Sequence, residues 1–203
     1  MESSTSQEKS LVLDKIEEDI CSQFKNLPAD KKLVYIGRFC PMHLGHQAMI
    51  GGVYKTAPNN HMILIGSCNQ PTSYRNLFDF KDRLEIIKTI YPDLTIAGLP
   101  DFKGDNDSWF ANLDCMIATT GTHPKDVVFV GGCEEDITWF KVANRATFLV
   151  NRFSGVTLNV SGTEIRDHLI TGHYDRLAGL LDNRIIPTVI DKFKTQWAKL
   201  RQQ

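Results

Sequence analysis

The sequence predicts an α/β protein: a doubly wound parallel sheet with helices on both faces and additional helices at the C-terminus. Three observations lead there. From residue 32 onward, short apolar runs alternate with longer stretches of helical periodicity, the pattern of a parallel sheet covered by crossover helices. After about residue 160 only helical periodicity remains, which supplies the C-terminal helices. The chain has 203 residues, 42% of them hydrophobic, enough for one domain with a real core and a small appendage.

Taken in order, residues 1–10 are polar and are expected to be disordered. "LVLDKIEEDICSQFKNL" (11–27) carries apolar residues at 13, 16, 20, 24 and 27, a helical period that Pro28 and Asp30 end. This helix either packs on its own domain or docks a partner. The expected division is an N-terminal extension over 1–30 and a main domain over 31–203. "KLVYIG" (32–37) reads as a buried strand, 44–57 as a helix, and "HMILIGS" (61–67) as a second strand. A helix over 79–91 follows, with Asp79 as its N-cap, then a strand over 94–100. A helix over 108–121 is closed by Gly121, and a strand over 126–132 ends in paired glycines. A short strand at 146–150, a helix from about Thr163, and helices at 173–181 and 187–201 complete the chain.

Composition narrows the function. Lys and Arg number 23 against 24 acidic residues, so no global field recruits nucleic acid or membrane, and any anion site must be built locally. No apolar run approaches the ~20 residues that span a bilayer. Five scattered cysteines without a C-x-x-C pair argue for a reducing compartment, and "MESSTSQEKS" lacks a secretory layout. A soluble cytoplasmic protein is expected, with a homo-oligomer possible.

In parallel α/β sheets ligands bind beyond the carboxyl ends of the strands. Three of those ends are chemically unusual here: "GRFCPMHLGH" after the first strand, "GSCNQPTSYRN" after the second and "GGCEED" after the fourth. His43 and His46 stand three residues apart at the first. As a zinc site the pair is incomplete, since zinc takes three or four ligands and no second cluster with ligand spacing appears. As a base pair it lacks a neighbouring Ser or Cys nucleophile. Two core histidines on one helix turn are a further reading. The context favours a fourth. The pair lies at a strand-to-helix junction behind Gly37 and Arg38, where helix-start N–H groups and a permissive glycine suit a polyphosphate. Far downstream, "NVSGTEIRDHL" (159–169) puts Ser161, Gly162 and Thr163 at another helix start with Arg166 one turn in. By itself that segment is equally an ordinary capped helix with a surface arginine.

"GRFCPMHLGH" together with "SGTEIR" resembles the nucleotidylyltransferase superfamily of the H-x-G-H type, whose fold is Rossmann-like. "LIGSCNQPTSYRNLFDFKDR" (64–83) and "DNDSWF" (105–110) resemble the corresponding segments of nicotinamide-mononucleotide adenylyltransferases, above all the archaeal type and the adenylyltransferase half of bacterial Nudix fusions. The likeness covers roughly 33–185, and no Nudix segment is present. It implies an enzyme of NAD biosynthesis that joins ATP and nicotinamide mononucleotide into NAD and pyrophosphate, with Mg²⁺ carried on the ATP and no metal ligand from the protein. It implies that Gly37, Arg38, Phe39, His43, His46, Ser161, Thr163 and Arg166 bind ATP, with His43, His46, Arg38 and Arg166 catalytic. It implies that Ser67, Asn69, Arg75, Asn106 and Trp109 bind the pyridine mononucleotide, Trp109 by stacking on the ring; read by itself, Trp109 is equally a core residue. Cys40 and Met42 stand where the family often has glutamine and phenylalanine, and Leu77 replaces a frequent proline. Glu134, Glu135 and Asp136 read as a solvated loop that makes the fourth strand's end more acidic than usual. Arg83 reads either as a salt-bridged helix residue or as a ligand contact. Competing readings are a nicotinate-mononucleotide adenylyltransferase, a pantetheine-phosphate or cytidylyl transferase, and a non-catalytic nucleotide sensor docking through 11–27.

Overall fold

The computed structural model describes residues 2–150 and 160–202, with side chains from Leu13 onward. Asn159, which opens the downstream motif, lies outside the described residues. Five strands form one sheet in the order β3-β2-β1-β4-β5: β1 (Lys32–Gly37), β2 (His61–Gly66), β3 (Ile96–Leu99), β4 (Val127–Gly131) and β5 (Thr147–Leu149). The chain starts at β1, winds outward to β3, then returns to the other side of β1, which is the doubly wound order expected. Where the register is defined it is parallel, with Val34 opposite Phe129 and Phe129 opposite Thr147. Parallel strands covered on both faces read as continuous apolar runs, and all five residues of β4 are buried. No helix among the described residues is long and apolar enough to cross a membrane.

The chain divides into two compact units interleaved along the sequence, one from residues 1–36, 47–63 and 113–158, the other from 37–46, 64–112 and 159–203. In the first unit, helix α1 (Glu2–Phe24) lies against the part of helix α2 (Leu44–Thr56) that belongs to it. Gly51 and Gly52 permit the approach: a Cβ on either would sit 2.3 Å from Glu17 or Ile20. Phe24 meets Phe148 at 5.2 Å between ring centroids, and Lys55 pairs with Glu17 at 2.7 Å. The first helix therefore packs on its own unit. It also begins at Glu2, so the polar start expected to be disordered lies within it.

A second difference is helix α5 (Glu134–Val142), whose first turn contains the acidic trio read as a loop. Asp136 Oδ2 accepts the backbone N–H groups of Gly132 at 3.2 Å and Cys133 at 3.3 Å. An acidic residue in the first turn satisfies orphan amides and complements the helix dipole, so acidity here is a helix start. Phe140 of this helix stacks on Phe129 at 4.0 Å.

The second unit carries helices α3 (Phe80–Ile90), α6 (Gly162–Thr171) and α7 (Ile186–Leu200), and it begins α4 (Asn106–Ala118). Asp79 caps α3 as expected, accepting the N–H of Asp82 at 2.9 Å. Gly172 closes α6 at φ +78, and the expected helix over 173–181 is instead a short 3-10 segment, Tyr174–Gly179. The segment is a connector between α6 and α7, where short 3-10 turns are frequent. Pro187 stands in the first turn of α7, where its missing N–H costs nothing. That helix packs on α3 through buried Gln196, which donates to Asp82 at 2.6 Å and Asp79 at 3.1 Å.

Candidate active site

Every residue expected in the site belongs to the second unit. The chain leaves β1 at Gly37, where a Cβ would lie 2.7 Å from the ring of Phe39. Glycine thus lets Phe39 fold back into the core, fully buried, with φ +50. Phe39 meets His46 edge-on at 4.9 Å. His46 in turn stacks on His43, with ring centroids 3.7 Å apart and planes 25° from parallel. His43 Nδ1 accepts the backbone N–H of His46 at 3.3 Å. His43 therefore caps the start of α2, and a neutral His43 ring carries its proton on Nε2. The two imidazoles form one rigid block at a helix N-terminus.

Arg166 reaches the same loop from α6. Its Nη1 donates to the carbonyl of Cys40 at 3.0 Å and its Nη2 to Thr163 Oγ1 at 3.0 Å. Its Nε is buried without a partner among the described residues. Ser161 caps α6 by accepting the N–H of Glu164 at 3.1 Å, which leaves the hydroxyl proton to donate. The two motifs, more than a hundred residues apart, are thus tied by a direct hydrogen bond.

A cavity of about 410 Å³ opens beyond the ends of β1, β2 and β3, lined by Arg38, Ser67, Gln70, Pro71, Ser73, Arg75, Asn76 and Asp101. Arg38 has its pKa lowered, first by burial and then by the charges of Arg75 and Arg166. The guanidiniums of Arg75 and Arg166 therefore both bear on that of Arg38. Among the described residues none of the three is within ion-pair distance of a carboxylate. Asp101, which also lines the cavity, opposes this only in part, being the last of the influences on Arg38, and the excess of positive charge suits an anion. Ser67, like Phe39, holds a left-handed backbone, φ +53, directly after its strand; such strain collects at functional loops.

Asn69, Asn106 and Trp109, also expected in the site, do not line the cavity. Asn69 brackets the loop after β3: its Nδ2 donates to the carbonyl of Asp101 at 2.9 Å and its Oδ1 accepts the N–H of Asp101 at 2.8 Å. Asn106 opens α4 and is exposed; Trp109 is half-buried one turn later, its ring edge-on to Phe110 at 5.1 Å. Sequence reasoning missed Gln70, Ser73, Asn76 and Asp101. Asp101 was within reach of the strand-end rule, for it follows β3.

Residues 34–168 match the family model described as cytidylyltransferase-like. The chain belongs to the cytidylyltransferase-like family. The match opens inside β1 and closes two residues past Arg166, so both motifs of this cytidylyltransferase-like chain fall within it. Among solved structures, a bifunctional NMN adenylyltransferase/ADP ribose pyrophosphatase from Francisella tularensis is similar at TM-score 0.64 and 18% identity, over 85% of this chain and 54% of that one. A structure of a bifunctional protein so named, from the same organism and complexed with AMP and Mn ion, gives 0.61 and 19% over 85% and 53%. NadR protein in complex with NAD and AMP-PNP gives 0.50 and 22% over 76% and 46%. The chain spans about half the length of these proteins, and likeness at such identity speaks for the fold. No curated protein matches the chain by sequence.

Proposed function

We propose that this cytidylyltransferase-like chain transfers the adenylyl group of ATP to nicotinamide mononucleotide, forming NAD and releasing pyrophosphate. The observation that carries the reading is Arg38 and Arg75 lining one cavity, with the charge of Arg166 near enough to bear on Arg38 and none of the three in an ion pair among the described residues. Family membership supports the reaction class, and the NMN adenylyltransferase activity for which the similar proteins are named supports the pyridine mononucleotide.

The nucleophile is the mononucleotide phosphate, whose second pKa near 6 leaves it anionic at neutral pH. One of its oxygens attacks the α-phosphorus of ATP. The bond to the bridging oxygen breaks, and that oxygen keeps the electron pair as pyrophosphate leaves. No proton needs to move, so no general base is needed. The obstacle is one anion approaching another, and catalysis is positioning plus charge neutralisation. Arg75, on the loop after β2, holds the mononucleotide phosphate. Arg38 lies between it and the triphosphate. Arg166, His43 and His46 receive the charge that grows on the leaving pyrophosphate, each worth about 3 kcal/mol if it acts like an oxyanion-hole donor.

Divalent metal fits this site on the nucleotide. Among the described residues no group of three or more His, Cys, Asp or Glu is placed to hold an ion. Mg²⁺ carried by triphosphate oxygens and water needs no such cage, and bound there it would add a further neutralising charge. We take 31–203 as the catalytic domain and 1–30 as an appendage, in a cytoplasmic enzyme.

The test is turnover of purified protein with ATP, Mg²⁺ and nicotinamide or nicotinate mononucleotide, following dinucleotide and pyrophosphate. NAD and pyrophosphate formed in equal amounts is the expected result. Pyrophosphate release with the nicotinate substrate alone overturns the substrate assignment, and release with neither overturns the reaction.

A further inference from the structure

Arg83 is the largest fully buried side chain among the described residues, with no exposed surface. No carboxylate lies within ion-pair distance of it. Its bonds all go to neutral backbone carbonyls instead. Nε donates to Asp79 at 3.3 Å, Nη1 to Arg38 at 3.0 Å and to Gly66 at 2.8 Å, and Nη2 to Ser67 at 3.1 Å. Burying a charge without a counter-charge is expensive, and an apolar side chain of similar volume is the cheaper filler for a core. The acceptors explain the choice. Gly66 and Ser67 are the point where the chain leaves β2 with a left-handed turn, and Arg38 is the residue that enters the cavity after β1. One planar fork therefore joins the two loops that carry Arg38, Ser67 and Arg75.

We infer that Arg83 is a positioning residue for the transfer reaction: its guanidinium locks the loop after β1 to the loop after β2, and so sets where Arg38 stands relative to the anion in the cavity. Lysine cannot substitute, because its single ammonium offers donors from one point and cannot span carbonyls on separate strand ends. The inference rests on the adenylyl-transfer reading for its kinetic test, and it takes in the ion that any occupant of the cavity must present, a phosphate.

The experiment is a double-mutant cycle between Arg83→Lys and Arg38→Ala, with kcat/KM for the mononucleotide as the readout and a thermal melt for each protein. In the parent, Arg83→Lys should lower kcat/KM on the order of 100-fold, the loss expected of a displacement of about 1 Å. In the Arg38→Ala background the same change should cost no more than about threefold, because the group it positions is gone. Equal losses in both backgrounds, or no loss in the parent, overturn the inference. Should the lysine variant fail to fold, Arg83→Ala with added guanidinium ion replaces it. Guanidinium should restore kcat/KM at least tenfold and methylammonium should not; equal rescue by both assigns Arg83 a charge role and overturns positioning. Parent protein that makes no dinucleotide at all sinks the adenylyl-transfer reading alone. The cycle is then run on pyrophosphate affinity by calorimetry, with the same pattern of loss expected and the same flat result decisive against it.

Discussion

Gly162→Ala separates the site from the fold. Gly162 is the first residue of α6, and a Cβ there would lie 3.2 Å from Arg166 Nη1 and 3.5 Å from the Cys40 carbonyl. These are the two ends of the 3.0 Å bond that joins the motifs. The methyl must push the guanidinium aside by a few tenths of an ångström, since Cys40 is main chain. A hydrogen bond from a charged donor contributes about 1.5–3 kcal/mol; losing half of it costs roughly 3- to 12-fold in kcat/KM for ATP, at 1.4 kcal/mol per tenfold. Alanine recovers at most about 0.5–1 kcal/mol of helix propensity over glycine. Tm should therefore stay within about 3 °C of the parent. Gly172→Ala is the counterpart: it has φ +78 and open space around it. That change costs about 1–2 kcal/mol of left-handed strain, lowering Tm by about 2–8 °C, and leaves kcat/KM unchanged. Pyrophosphate release at varied ATP and a circular-dichroism melt on each variant measure both quantities. If Gly162→Ala keeps full kcat/KM, the contact between Arg166 and the Cys40 loop does not serve catalysis.

His46→Ala should reduce turnover by more than about 100-fold with the fold retained, checked by kinetics beside a melt; unchanged turnover removes the histidine block from the mechanism. Tyr74→Phe removes the hydroxyl that donates to Asp167 at 2.5 Å across from α6. It should raise KM for the mononucleotide roughly threefold through the adjacent Arg75 with little change in kcat, an exposed bond being worth about 1 kcal/mol or less; a kcat effect with KM intact contradicts this. Burial pushes the pKa of Glu17 up, and Lys55 only partly offsets it. The native state then holds the Glu17 proton more tightly than the unfolded chain does. Stability therefore falls as pH rises from the ordinary glutamate range through the raised value. Glu17→Gln should flatten that slope in melts between acid and neutral pH, and a parent that gains on the variant as pH rises shows the Lys55 pair dominating instead.

The sheet was legible because buried parallel strands write themselves as apolar runs, and all five were placed to within a few residues. Helix starts were legible where a side chain caps, at Asp79 and Ser161. They were misread where the capping group sits inside the helix: Asp136 works from the first turn of α5, and its acidity resembles a loop. The paired imidazoles and Arg166 were readable as a motif. Their mutual geometry was not, because the bond from Arg166 to Cys40 spans 126 residues and ends on a backbone carbonyl that no side-chain pattern encodes. Arg83 was ambiguous for the same reason. A salt-bridged helix residue announces its partner by spacing, whereas four carbonyls announce nothing.

Charge use across the molecule follows from this. The net charge is −1, with nearly equal numbers of each sign, so a site for the two phosphorylated substrates proposed above cannot draw on a global field. Away from the cavity, cations are paired in the ordinary way: Lys31 with Asp126, Lys55 with Glu17, Arg145 with Asp114, Arg184 with Asp182. Two arginines of the candidate site are held by main-chain and hydroxyl oxygens instead, Arg166 by Cys40 and Thr163, Arg83 by four carbonyls. A carboxylate in either role would fix the side chain equally well but would cancel the charge available to an anion. Neutral oxygens fix the guanidiniums and leave their charge to the ligand, and that difference between pairing and pinning is what makes a near-neutral protein locally cationic.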